Sequence, residues 1–205
     1  MKKTIFTLMA ITAFSSGIYA QTPDVKIGVK AGVNFANLTD GDMKTGFHVG
    51  GLAEIFISEK FSVQPEVLYS TQGSKTSSST SIPGLVTTSS KTKTNLDYIN
   101  VPIMAKYYVA EGFNVQAGPQ IGFLMKAEAD IDASVTGLGG ISGSGDIKDQ
   151  MNSIDFGLNF GLGYELPMGV FAEARYNLGL TKVPKEKEFG DYKNSVIQVS
   201  VGYKF

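Results

Sequence analysis

The sequence predicts an all-β chain, an eight-stranded antiparallel up-and-down transmembrane β-barrel. Three observations carry this. Period-two alternation runs along eight segments, the connections alternate strictly between long and short, and the polar stripes are crowded with glycine. The 205 residues suit one domain, and 42% hydrophobic content is far too high for a disordered chain. No 18-residue apolar run follows the first twenty residues, which argues against a helical membrane protein. The absence of cysteine excludes a disulfide scaffold, a thiolate zinc site and a cysteine nucleophile together. Eighteen basic against nineteen acidic residues give no field that would gather nucleic acid, so no nucleic-acid partner is expected.

Residues 1–20 read as an address. Lys2 and Lys3 precede an apolar run from Ile5 to Phe14, and Ser15-Ser16-Gly17-Ile18-Tyr19-Ala20 follows. A positive start, an apolar centre and a small residue at the cut mark a secretory signal peptide, with cleavage between Ala20 and Gln21. Ile18, at the minus-three position, is larger than the small residue usual there. Two units are therefore expected: a signal peptide over 1–20 and a barrel domain over 21–205. Cleavage removes two Lys and no acid, moving the net charge from −1 to −3.

From Val25 onward each strand sets an apolar stripe against a polar one. The first strand has Val25, Ile27, Val29, Ala31, Val33 and Phe35 against Lys26, Gly28, Lys30, Gly32 and Asn34. The second has Phe47, Val49, Ala53, Ile55 and Ile57 against His48, Gly50, Leu52 and Glu54. The third has Phe61, Val63, Pro65, Val67 and Tyr69 against Ser62, Gln64, Glu66 and Ser70. The fourth has Ile99, Val101, Ile103, Ala105 and Tyr107 against Asn100, Met104 and Lys106. The fifth has Phe113, Val115, Ala117, Ile121, Phe123 and Met125 against Asn114, Gln116, Gln120 and Lys126. The sixth is the most regular, with Ile154, Phe156, Leu158, Phe160, Leu162 and Tyr164 against Asp155, Gly157, Asn159, Gly161, Gly163 and Glu165. The seventh has Val170, Ala172, Ala174, Tyr176 and Leu178 against Glu173, Arg175 and Asn177. The eighth has Ile197, Val199, Val201, Tyr203 and Phe205 against Gln198, Ser200, Gly202 and Lys204.

The connections Ser58-Glu59-Lys60, Ala110-Glu111-Gly112 and Pro167-Met168-Gly169 are of hairpin size, whereas Ala36–Thr45, Gly73–Asn95, Glu128–Asn152 and Thr181–Lys193 are long. An even-stranded meander puts all the short turns at one end and all the long loops at the other, the plan of an outer-membrane barrel. A lipocalin-like soluble barrel is the alternative, with the apolar stripes turned inward around a ligand. Strand length, glycine on the polar stripes and the aromatics Phe61, Tyr107, Phe113, Tyr164, Tyr203 and Phe205 beside the short turns favour the membrane reading.

The segments Val25–Phe35, Tyr98-Ile99-Asn100-Val101-Pro102-Ile103 and Phe171-Ala172-Glu173-Ala174-Arg175-Tyr176, with the terminal Phe205, resemble the PorT-like outer-membrane β-barrel family over the whole mature chain. The final strand, with Ile197, Val199, Val201, Tyr203 and Phe205 at alternate positions, resembles the C-terminal signal read by the barrel assembly machinery. The resemblance implies insertion into the cell outer membrane of a Gram-negative envelope, with membrane lipid and that machinery as partners. It brings no ligand or catalytic residue set with it.

Chemistry is sparsely signalled. His48 is the one histidine, so a lipid-modifying barrel enzyme would have to rest on it. Asp130, Asp132, Asp146 and Asp149 lie in a Gly-rich loop and make a weak calcium candidate, so neither metal nor cofactor is expected. The run Gly139–Gly145 lacks the Lys-Ser/Thr of a phosphate loop and reads as flexible. The polar stripe carries Lys26, Lys30, Lys106, Lys126, Arg175 and Lys204 against Glu54, Glu66, Asp155, Glu165 and Glu173. Six bases against five acids predict a paired, plugged interior, where a selective pore would carry an excess of one sign. Gly73–Asn95 has thirteen Ser or Thr in twenty-three residues and reads as a mobile loop, with Ile82–Val86 its apolar island. The function expected is a structural or interaction role at the envelope without catalysis. The alternatives are an accessory part of a type IX-like secretion machine, a lipid-modifying enzyme and a narrow pore.

Overall fold

Period-two sequences become strands, and strands in hydrocarbon must close on themselves, because lipid offers no partner to a free backbone N–H or C=O. The computed structural model describes residues 24–39, 41–82, 86–135, 139–185 and 192–205. The expected signal peptide, with Ala20 and Gln21, and residues 83–85 of the apolar island lie outside them. The strands are β1 (Val25–Leu38), β2 (Asp42–Ser58), β3 (Phe61–Ile82), β4 (Val86–Tyr108), β5 (Phe113–Val135), β6 (Gly139–Asp146), β7 (Ile154–Glu165), β8 (Val170–Lys182) and β9 (Lys193–Lys204). Among the described residues one 3-10 turn, Lys148–Gln150, precedes β7. All pairings are antiparallel between sequence neighbours except at β6, and β1 joins β9 from Gly28↔Lys204 to Leu38↔Asn194. Eight strands thus form a ring, and β6 stands outside it, paired only with β5.

The faces divide as the alternation requires. Val201 is 62% exposed and Val29 54%, whereas Glu54 and Gln64 are fully buried. The apolar stripe therefore points outward to lipid, the opposite of a lipocalin. At the short-turn end Gly112 (φ +71°) and Gly169 (φ +89°) adopt the left-handed conformation that lets the β4–β5 and β7–β8 hairpins turn tightly. Beside these turns Tyr107, Phe113, Tyr164 and Tyr203 face outward as a girdle, and Tyr203 meets Phe205 edge to face at 5.1 Å.

The long connections depart from expectation. The described residues of Gly73–Asn95 do not form a mobile loop. β3 and β4 continue as a ladder from Gly73↔Asn95 to Ile82↔Val86. The Gly-rich run likewise pairs as β6, from Glu128↔Asp146 to Val135↔Gly139. Serine and threonine rows and the facing charges Lys91↔Asp132 and Lys93↔Asp130 hold this four-stranded extension together. β3, β4 and β5 have 22, 23 and 23 residues, about twice the roughly 9–11 needed to cross a membrane.

One irregularity resets a face. Asp97 opposes Lys126 but Tyr98 opposes Leu124, so Met125 is an extra residue in β5. A bulge of one residue reverses the alternation beyond it. Lys126, expected inside, is therefore exposed and pairs with Glu128 at 2.8 Å.

The outward face of β7 gives a direct test. Leu158→Arg should cost about 2–4 kcal/mol of folding free energy in lipid vesicles, as expected for Arg near the bilayer midplane. Urea titration followed by the shift in gel mobility between folded and unfolded barrel measures it. A variant as stable as the parent would contradict the assigned face.

Candidate functional site: the sealed lumen and its two ends

An eight-stranded ring has room inside for little besides its own side chains. Here those side chains sort into strata along the axis. Nearest the short turns, Lys204 bonds Glu54 and reaches Glu165 at 2.5 Å, while Lys26 reaches Glu165 at 3.0 Å. Lys106 lies 3.2 Å from Glu54, which also accepts hydrogen bonds from Ser62 (2.5 Å) and the Tyr108 hydroxyl (2.8 Å). Above this, Arg175 donates two bonds to Glu66 (2.6 and 2.9 Å) and one to Glu173 (2.9 Å). Lys30 completes that square, 2.7 Å from Glu66 and 2.6 Å from Glu173. Gln64 and Gln116 donate to the remaining lone pairs of Glu66 and Glu173.

The square is neutral, and every member is at least 95% buried. That balance is necessary, because an unpaired charge at such depth costs several kcal/mol. The structure thus brings together nine of the eleven residues expected in an interior network: Lys26, Lys30, Glu54, Glu66, Lys106, Glu165, Glu173, Arg175 and Lys204. Lys126 is outside for the reason given. Asp155 sits inward at the outer end of β7 but belongs to no ion pair among the described residues, and its Oδ1 is buried without a partner. The four-residue offset from Asp155 to Asn159 places it beyond the charged strata. Tyr108 was missed, although the alternation that turns Lys106 inward also turns Tyr108 inward.

The next stratum is uncharged. Asn34 donates through Nδ2 to Ser70 Oγ (2.9 Å) and to the carbonyls of Phe47 and Thr71. Its Oδ1 lies 2.7 Å from His48 Nδ1, and His48 Nε2 lies 2.7 Å from Ser200 Oγ. With the Asn34 amide so oriented, Nδ1 carries the ring proton and Nε2 accepts from the serine. Gly32 makes room for the ring: a Cβ there would stand 2.6 Å from His48 Cε1. Serine, imidazole and amide are connected as in a Ser-His-Asn triad. Catalysis also needs access and an oxyanion site. Ser200 is only 2% exposed and His48 1%, and β9 is laddered on both sides, to β1 and β8, around Ser200. Chemically, the arrangement is a closed hydrogen-bond relay across the lumen.

At the outer end the filling turns apolar. Leu96, Tyr98, Leu124, Ala127 and Val183 form a buried cluster, with Leu38, Ile147 and Met151 against it. Backbone bonds from Ile147 to Ala127 (3.0 Å), Asn152 to Val183 (2.8 Å) and Lys185 to Gln150 (2.9 Å) fold these segments over the mouth. The opposite end is open: a cavity of about 650 Å³ lies between the short turns, with Lys26, Tyr108 and Glu165 in its wall. On β9, Ile197, Val199, Val201 and Tyr203 share the lipid face, and Phe205 follows directly after the strand.

The square can be dissected by mutation. Arg175→Met alone should destabilise the barrel by about 3–5 kcal/mol, because Glu66 loses its main partner. Arg175→Met with Glu66→Gln keeps Lys30 balanced by Glu173 and should cost clearly less than the sum of the single changes. Urea titration of the four proteins in vesicles gives the coupling, and strict additivity would refute it.

A family profile described as "Outer membrane protein beta-barrel domain" matches residues 19–184. No curated protein matches the sequence. Among solved structures the chain is similar to Neisserial surface protein A, at 14% identity and TM-score 0.49, covering 90% of this chain and 100% of that one. It is also similar to Ail, the attachment invasion locus protein of Yersinia pestis, at 13% identity and TM-score 0.47, with 90% and 100% covered. A third likeness is to CarO2 of Acinetobacter baumannii, at 14% identity and TM-score 0.45, with 88% and 99% covered.

Proposed function

Since the chain belongs to the outer membrane protein β-barrel domain family, we propose that it is a plugged anchor in the outer membrane that displays a four-stranded sheet outside the cell. Its role is structural or interactive, without catalysis and without conduction. The observation that carries this is the filled lumen, in which a neutral ion-pair square, an amide–imidazole relay and an apolar seal succeed one another. Short turns of such barrels face the periplasm, which supports an outside position for the long β3–β6 extension. The lipid-facing residues of β9 with Phe205 support recognition by the barrel assembly machinery.

Planar bilayers holding the refolded protein should show no steady single-channel steps; large, stable conductance would overturn the plugged reading. The relay of Ser200 and His48 has its own test. A fluorophosphonate probe should leave Ser200 unlabelled, and labelling that disappears in His48→Ala would make the protein a hydrolase.

The resemblance to PorT-like barrels supports a finer reading, an accessory part of a type IX-like secretion machine. Chemical crosslinking from a tag in the β3–β4 hairpin, followed by isolation in mild detergent, separates the two. Co-isolated secretion components support the machine part, and recovery of the barrel alone supports a stand-alone surface protein.

A further inference from the structure

A cavity of about 300 Å³ opens at the outer mouth, between the foot of the displayed sheet and the segments that seal the lumen. One wall is the inward face of β3 and β4, carrying the hydroxyls of Ser74, Thr76 and Thr94, and Ser74 and Thr94 are cross-strand neighbours. Pro184 and Tyr192 contribute an apolar and aromatic wall, and Gln150 adds an amide. No charged side chain among the described residues lines it. The side-chain polar atoms of Ser74, Thr76, Thr94 and Gln150 bond no other described residue. Elsewhere in the interior such groups are mostly committed to one another, as at Asn34, Ser70 and Gln72.

Uncommitted neutral donors and acceptors facing a ring and a proline complement a particular class of ligand. Among the described residues an anion would find no cation there, and an acyl chain would strand the hydroxyls away from water. A pyranose satisfies both walls: its hydroxyls exchange hydrogen bonds with Ser, Thr and Gln, and its C–H face lies against Tyr192. The volume is at the lower end of the range for small-molecule sites. We propose that the mouth cavity binds a neutral pyranose unit of a saccharide. The inference rests on the display reading in one respect, that this end of the barrel faces outside the cell. The sugar comes either from a free saccharide or from the lipopolysaccharide core of the same membrane.

Saturation-transfer NMR on the refolded mature chain, in a zwitterionic detergent without sugar headgroups, tests this. The probes are maltotriose, cellotriose, triacetylchitotriose and a core oligosaccharide freed from lipid. At least one should receive saturation. Thr76→Val with Thr94→Val should weaken that binding roughly tenfold through lost hydrogen bonds. Tyr192→Ala should abolish transfer to the ring protons. Asp132→Asn, on the other face of the sheet, should bind as the parent does. Preference for the core oligosaccharide assigns the lipopolysaccharide source, and preference for a trisaccharide assigns the free one. Absence of transfer from all four probes, or unchanged affinity in the pocket variants, overturns the inference. Antibody access to an epitope within β6 on intact cells is read in parallel. An epitope that is not reached refutes the display reading, and a reached epitope without saccharide binding refutes only the pyranose site.

Discussion

Every backbone amide that crosses hydrocarbon must find its partner within the protein, and the β1–β9 ladder is what makes that true for the whole ring. Remove it and two edges face lipid with their N–H and C=O groups unmet. Closure at eight strands then dictates the rest. The ring is too narrow for a water-filled channel, so inward side chains must pack against one another. The outward face must be apolar, which leaves the inward face as the place for polar residues. Polar side chains packed in so narrow a ring must satisfy one another, and the strata from Glu54 to Tyr98 are one solution. Charges occupy the lower half, where the geometry allows several partners each. Amides and the imidazole come next, and apolar side chains finish the stack where the ring meets the outside.

The ordering has a physical logic. Arg175 and Glu173 on β8, Glu66 on β3 and Lys30 on β1 lie on three strands of the ring and tie walls together that no ladder joins. Buried ion pairs contribute little net stability compared with well-packed apolar groups, but mispairing them is costly. Such a square therefore selects one register over its neighbours, since a one-residue slip of β1, β3 or β8 would turn that strand's charges into lipid and strand their partners.

Much of the ring was legible in the sequence, because lipid and lumen impose opposite chemistries on alternate residues. Leu158 and Asn159 could be assigned to opposite faces from the pattern alone, and so could Arg175 and Glu173 against Tyr176 and Ala174. The extension was not legible for the complementary reason. Where both faces of a sheet meet water, Ser77, Ser78 and Ser79 leave no contrast between them, and strand composition resembles that of a loop. Threonine, which suits strands, was the one local signal for pairing there. The site suffered likewise at a single point: one additional residue, Met125, has no signature in a run of 23, yet it decides where Lys126 points. The relay of Asn34, His48 and Ser200 joins three strands that are adjacent only once β9 returns to β1, which period and spacing do not encode.

The bulge at Met125 falls near the level at which β5 leaves the ring, just below the residues that pair with β6. Below it, each position is answerable to lipid on one side and to the packed lumen on the other. Above it the alternation has been reset, and beyond Ala127, which still packs in the apolar seal, neither obligation applies. The chain is thereby divided into a conserved-by-physics foundation and a superstructure that can be lengthened, shortened or rewritten without disturbing the foundation's phase. A lineage under pressure to change its exterior, whether from antibodies, phages or competitors, could revise the displayed sheet residue by residue while the embedded ring stayed the same.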